Sequence, residues 1–189
     1  MKQGEVRIIG GTWRGRKLKF PAISDLRPTP DRIRETLFNW LAPTIQGAHC
    51  LDLFTGSGAL GLEALSRGAS YVLFVDQAPP IIHYLKQQLL RLQATHANVY
   101  SAKIPFDKLP HKLIVKPFDI IFLDPPFNRN LVKPTCNWLM QHALLANNAT
   151  IYIEAESQLE PLPVPTQWNL IKNKKSGQVG YHLLQYNRE

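Results

Sequence analysis

Residues 49–69 read HCLDLFTGSGALGLEALSRGA, and their order of short apolar run, glycine loop and helix decides the fold. HCLDLF is too short for a helix and lacks clean polar alternation, as expected of a strand buried on both faces. The glycines that follow let the chain turn sharply and come close to a ligand. The next helix opens with N–H groups that have no partner within it. Gly68 can close that helix in the left-handed conformation.

Outward from this unit the pattern repeats. YVLFVD (71–76) reads as a strand. PPIIHYLKQQLLRLQA (79–94) reads as a helix with Ile81, Ile82, Leu85, Leu89 and Leu92 on one face. NVYS (98–101) and FDIIFL (118–123) read as strands, CNWLMQHALL (136–145) as a helix and ATIYIE (149–154) as a strand. QWNLIKNKKSGQVGYHLLQYNR (167–188) reads as a terminal antiparallel hairpin turning at Gly177. Apolar strands alternating with helices predict a doubly wound α/β domain with a mostly parallel sheet. Pro161, Pro163 and Pro165 mark a surface connection.

Upstream, VRIIGG (6–11) and RKLKF (16–20) read as two short strands joined through Gly10, Gly11 and Gly15. LRPTPDRIRETLFNWL (26–41) reads as a helix with Thr29 as N-cap, Pro30 at N1 and Asp31 facing the dipole. Its apolar stripe is Ile33, Leu37, Trp40 and Leu41. Residues 1–41 are therefore expected to form an N-terminal extension, and 42–189 the main domain.

The chain carries a net charge of +8, and residues 1–34 hold nine Lys and Arg against three acids, so most of the excess lies there. Clustering of this kind is the electrostatic footprint of a polyanion partner. The alternative is a solvated basic tail, but Ile8, Ile9, Trp13, Leu18 and Phe20 supply too much apolar material for disorder. Arg7, Arg14, Arg16, Lys17, Lys19 and Arg32 are the candidate cations for such a partner. No apolar run approaches the roughly 20 residues needed to span a bilayer, and MKQGEVRIIGG lacks the core of a signal peptide. A cytoplasmic location is expected. Cys50 and Cys136 have no CxxC or histidine companion, so reduced core thiols are expected rather than a disulfide or a metal site.

The loop from Asp52 to Gly61 matches a GxGxxG nucleotide fingerprint, with Asp76 ending the next strand at the spacing of a ribose-binding acid. Asp52, Thr55, Gly56, Ser57, Gly58 and Asp76 are the candidate cofactor residues. A dinucleotide would bring its pyrophosphate toward Asp52, whereas a ligand with ammonium and sulfonium charges would suit that carboxylate. This favours S-adenosylmethionine over NAD. The second candidate site is Asp124-Pro125-Pro126-Phe127, at the carboxyl end of a strand. Prolines stiffen the turn, the carboxylate accepts hydrogen bonds, and the phenyl ring can stack on a base. Together they could hold an amino group and aim its nitrogen. The alternative is a DPP turn that only ends a strand, with Phe127 in the core.

The assembled set resembles the class I methyltransferases, and among them the RsmD family of bacterial 16S ribosomal RNA guanine-N2 methyltransferases. The pieces are RIIGGTWRGRKL (7–18), LRPTPDRIRETLFNWL (26–41), LDLFTGSGALGLEALSRGA (51–69), FDIIFLDPPF (118–127), IYIEAE (151–156) and SGQVGYHLLQY (176–186). The resemblance implies a seven-stranded sheet in the order 3-2-1-4-5-7-6, a basic extension used for RNA, and methylation of a specific guanine. It implies a monomer acting on 16S ribosomal RNA, within a small subunit or an assembly intermediate. In the family pattern Gly56 and Gly58 are the loop glycines, Asp76 the ribose acid, and Asp124 to Phe127 the amine-binding motif. Two departures stand out: Ala102 lies where an acid usually helps define the adenine pocket, and Asp76 replaces a longer glutamate. Rival readings are an amine methyltransferase for DNA or protein, an NAD-dependent oxidoreductase, and a noncatalytic RNA-binding module.

Overall fold

The computed structural model describes residues 3–21 and 28–187. Lys2, Asp25, Leu26 and Arg27 of the basic segment, and Arg188 of the last hairpin, lie outside the described residues. The elements in chain order begin with strands β1 (Gln3–Arg7) and β2 (Lys17–Pro21) and helix α1 (Asp31–Leu41). Then come β3 (His49–Leu53), α2 (Ala59–Ser66), β4 (Tyr71–Asp76), α3 (Pro79–Arg91) and β5 (Ala97–Ser101). The chain continues through β6 (Phe118–Leu123), α4 (Val132–Gln141), β7 (Leu145–Glu156), β8 (Trp168–Ser176) and β9 (Val179–Tyr186).

Seven strands form one sheet in the order β5-β4-β3-β6-β7-β9-β8. Counted from β3 this is 3-2-1-4-5-7-6, the order the resemblance implied. Five strands are parallel, and only the terminal hairpin breaks the pattern: β9 runs antiparallel to both β7 and β8. β3, β4 and β6 are mainly apolar because both their faces are covered. Phe74, Phe122 and Tyr152 pack toward one layer, and Leu51, Leu73, Ile121 and Ile151 toward the other.

β1 and β2 form a separate antiparallel ribbon. Val6, Ile8, Leu18 and Phe20 are buried in the layer that also holds α1, α2 and α3, so the ribbon is no loose tail. Its loop is pinned to the end of α2: Thr12 N–H donates to the Ser66 carbonyl at 2.8 Å, and Trp13 N–H to Ser66 Oγ at 2.9 Å. Gly11, at φ +75°, lies so close to the Ser66 carbonyl that any Cβ would collide with it.

The start of α1 differs from expectation. Pro30, not Thr29, is the N-cap, and no side chain caps the helix. Thr29 instead turns its hydroxyl into the protein, and the helix start is fixed from within by Arg34. Arg34 Nε donates to the Thr29 carbonyl at 3.2 Å, one terminal nitrogen donates to the Arg7 carbonyl at 2.9 Å, and the other lies 3.5 Å from Glu63. Glu63 is fully buried and also accepts the amides of Ile9 and Gly10 at 2.8 and 2.7 Å and Arg67 Nε at 2.7 Å. Gly68, at φ +98°, ends α2 as the sequence predicted. Glu63→Ala would strand the buried guanidinium and two amides. It is expected to cost about 3–5 kcal/mol, read by urea denaturation, with Ile9 and Gly10 amides exchanging faster with solvent.

Candidate active site

The strand order reverses at β3, which pairs with β4 on one side and β6 on the other. Open α/β sheets bind ligands at such a switch point, beyond the carboxyl ends of the strands. Both sequence motifs end there: the glycine loop leaves β3, and Asp124 leaves β6.

The loop crosses into α2 through three left-handed residues, Phe54 (φ 58°), Gly56 (φ 53°) and Gly58 (φ 76°). Asp76, at the end of β4, clasps it: one carboxylate oxygen accepts Gly56 N–H at 2.9 Å and the other Ala78 N–H at 2.8 Å. Thr55 faces inward. Its hydroxyl donates to the Asp52 carbonyl at 2.7 Å and accepts Val75 N–H at 3.1 Å, tying the loop to β4. Ser57 is buried, and its carbonyl accepts the Tyr84 hydroxyl at 3.3 Å.

Asp52 is placed differently from its expected position at the mouth of the loop. It lies beneath the loop, 2% exposed, and accepts Gly61 N–H at 2.9 Å, so it fixes the first turn of α2. Burial pushes its carboxyl well above the usual carboxylate range, Gly61 N–H works the other way, and Asp76 adds to the rise. Gly58 also has a role the sequence did not reveal. A Cβ there would lie 2.6 Å from Leu85 on α3, so this glycine is required by helix packing as well as by its backbone.

Across the switch point, Asp124 is partly exposed, Pro125 buried, Pro126 exposed and Phe127 half-buried. The turn ends at Asn128, at φ 59°, whose N–H donates to the Glu156 carboxylate. Pro125, Pro126 and Phe127 border a cavity of about 280 Å³ that continues to Leu131, Val132 and Leu159. Asp124 has a companion that sequence reading left as an ordinary strand residue. Leu123 pairs with Ile153, which places Glu154 beside Asp124 on the next strand. Glu154 is 3% exposed and accepts the Tyr152 hydroxyl at 2.8 Å. The Thr29 hydroxyl is near enough to both carboxyls to oppose their rise. Asp124 is held well above the ordinary carboxylate range, first by burial, then by the charges of Glu154 and Asp52. Burial also raises Glu154. One signal could have found Glu154: a carboxylate inside the apolar run IYIEA, since acids are almost never fully buried without a partner.

At the end of β5, Ala102 is buried and its N–H donates to the Asp76 carbonyl at 3.0 Å. A nearby acid comes from further along the chain, where the Asp107 carboxylate accepts Lys103 N–H at 2.6 Å. Of the candidate RNA-binding cations, all six are exposed. Arg7 pairs with Asp31 at 3.8 Å and Lys17 with Glu5 at 3.0 Å, whereas Arg14, Arg16, Lys19 and Arg32 have no ion pair among the described residues.

A glycine loop clasped by the acid of the second parallel strand, facing a carboxylate and two prolines across the switch point, is the arrangement of the class I methyltransferases. The chain belongs to the family described as Conserved hypothetical protein 95, whose model matches residues 6–185. It is 47% identical to Ribosomal RNA small subunit methyltransferase D of Escherichia coli K12 over 96% of this chain and 90% of that protein. The protein of the same name from Haemophilus influenzae is 46% identical over 97% and 95% of the two chains. The solved structure of a candidate methyltransferase from Escherichia coli superposes with a TM-score of 0.87 at 43% identity, covering 98% of this chain and all of that one. The chain is a methyltransferase.

Gly58→Ala combines a left-handed backbone with a 2.6 Å contact. It is expected to lower stability by about 1–3 kcal/mol, measured by denaturant unfolding in the absence of any ligand.

Proposed function

We propose that the chain transfers the methyl group of S-adenosylmethionine to the exocyclic N2 amine of a specific guanine in small-subunit ribosomal RNA. The observation that carries this reading is the Asp124-Pro125-Pro126-Phe127 turn, set beside the glycine loop at the switch point. The similarity to ribosomal RNA small subunit methyltransferases favours ribosomal RNA over DNA or protein.

The residues present fit the donor. Gly56 keeps the loop open to close approach, and Asp76 stands where a ribose would be held. Asp52, Asp124 and Glu154 are all displaced toward protonation, each raised first by burial. A cation brought to Asp124 favours its carboxylate, because an opposite charge favours the ionised form. The pyrophosphate of NAD would instead add negative charge to the same place.

When bound, the donor supplies a methyl group already activated on a sulfonium. The chain's own part is positioning and electrostatics. The Asp124 carboxylate and the Pro125 carbonyl accept the two N–H bonds of the amine and direct its lone pair. Phe127 stacks on the base, worth roughly 1–3 kcal/mol. As the new N–C bond forms, the nitrogen acquires positive charge, and Asp124 takes its surplus proton. Glu154 increases the proton affinity of Asp124, and the Tyr152 hydroxyl holds Glu154 in place.

The basic ribbon is the proposed RNA-docking face. Its tip lies by the last turn of α2, roughly 12 Å of helix from the glycine loop at 1.5 Å per residue. The RNA must therefore follow the ribbon from tip to active site.

Three outcomes test this reading. Asp124→Ala should bind donor nearly as well as the unaltered chain yet turn over at least about 100-fold more slowly, a loss on the order of 3 kcal/mol. Single-turnover transfer of labelled methyl measures it. The rate should rise with pH as Asp124 ionises, with its midpoint above the ordinary carboxylate value of about 4. Glu154→Gln removes the neighbouring charge and should move that midpoint to lower pH; an unmoved limb would show that the two carboxyls do not communicate. Replacing Arg14, Arg16 and Lys17 with alanine should weaken RNA binding and flatten its salt dependence. Donor affinity should hardly change.

A further inference from the structure

β8 divides its lysines between the two faces of the sheet. Lys172 and Lys174 lean over α1, their ammonium groups 5.8 and 6.0 Å from the centre of the Trp40 ring. Trp40 is itself stacked on Tyr181, with ring centres 5.7 Å apart and planes 28° from parallel. Lys175, one residue on, belongs to the opposite face by strand alternation and is neutralised by Glu160 at 2.7 Å. Lys172 and Lys174 have no ion pair among the described residues. An aromatic ring orients an ammonium group without cancelling its charge. Both charges thus remain free for an anion.

Their position relative to the active site follows from the register. Glu154 pairs with Tyr181, and Tyr181 pairs with Lys174. Paired residues on neighbouring strands point to the same face, so one row runs Glu154, Tyr181, Lys174. Neighbouring strands lie about 4.8 Å apart, which puts Lys174 roughly 10 Å from Glu154 and Asp124 one strand beyond. β8 is the outer strand, and all its residues after Trp168 are exposed.

We infer that Lys172 and Lys174, seated on the Trp40 ring, form a second phosphate-contact site for the RNA substrate, on the β8 side of the catalytic strand ends. This rests on the proposed RNA substrate. RNA is the occupant because the site is cationic, unneutralised and continuous with the row that ends at Asp124. The ribbon and the β8 edge lie on opposite sides of the active site, the ribbon against α2 and α3 and the edge beyond β9. An RNA strand bound at both places is held on either side of its reacting base.

The test uses the full chain and an unmodified small-subunit ribosomal RNA transcript, with affinity measured across a salt series. Lys172→Ala/Lys174→Ala should bind the transcript roughly tenfold more weakly and show a salt slope smaller by roughly 1.4–1.8, the value for two lost phosphate contacts. Lys175→Ala should stay within about twofold of the unaltered chain, because Glu160 already offsets that charge. Donor affinity and the turnover rate at saturating RNA should be unchanged in both variants, and Lys172→Arg/Lys174→Arg should restore binding. If the unaltered chain binds the transcript and the double alanine variant matches it in affinity and slope, the second site does not exist. If the unaltered chain itself fails to bind, the RNA reading falls and takes this inference with it.

Discussion

The buried Arg34–Glu63 pair is the junction on which the arrangement depends. Arg34 comes from α1 and Glu63 from α2, and between them they gather the Thr29 carbonyl, the Arg7 carbonyl and the amides of Ile9 and Gly10. A buried ion pair returns little net stability, because removing two charges from water costs about as much as their attraction yields. What it does here is geometric. The guanidinium donates to Thr29, Arg7 and Asp31, and both oxygens of the carboxylate are used, which fixes the ribbon, the first helix and the glycine-loop helix against one another. Through Thr29 the same junction reaches the active site, since the residue whose carbonyl it anchors places a hydroxyl on Asp124 and Glu154.

The sheet was legible because its signals are local. Unbroken apolar runs, glycines at turns and a terminal Gly177 turn each reflect a constraint on a few consecutive residues, and strand order then followed from a resemblance. The cofactor loop was legible in outline for the same reason. What escaped were roles decided by residues distant in sequence. Thr29 reads as an N-cap by its neighbours, but Asp124 and Glu154, about a hundred residues later, claim its hydroxyl. Asp52 reads as a ligand-facing acid from its place before the glycines, yet helix packing buries it against Gly61. Gly58 reads as making room for a ligand, and only the three-dimensional structure shows Leu85 filling that space.

The structure also separates two signs of charge. Outside, the protein is cationic: Arg14, Arg16, Lys19 and Arg32 on and beside the ribbon, Lys172 and Lys174 on the last strand. Inside the catalytic end it is acidic, with Asp52, Asp124 and Glu154 each raised toward protonation by burial. The two populations serve opposite partners. An exposed positive surface attracts a polyanion from a distance, but salt screens it. A buried negative cluster acts over a few ångströms, is little screened, and is relieved by a cationic ligand.

That separation gives a physical order to binding. While burial and the charges of Glu154 and Asp52 hold the Asp124 carboxyl up, an amine brought to it meets a weaker acceptor. A cation placed beside Asp124 first would favour its carboxylate and so prepare it to receive the N–H bonds of the acceptor. The donor and the base would then bind with positive coupling, although they touch different strands, because both draw on the ionisation of the same side chain. The Thr29 hydroxyl links that side chain to the helix on which the RNA-facing ribbon rests. Among the described residues, the Arg34 junction is thus one route by which a change in the ribbon can reach the carboxyl pair.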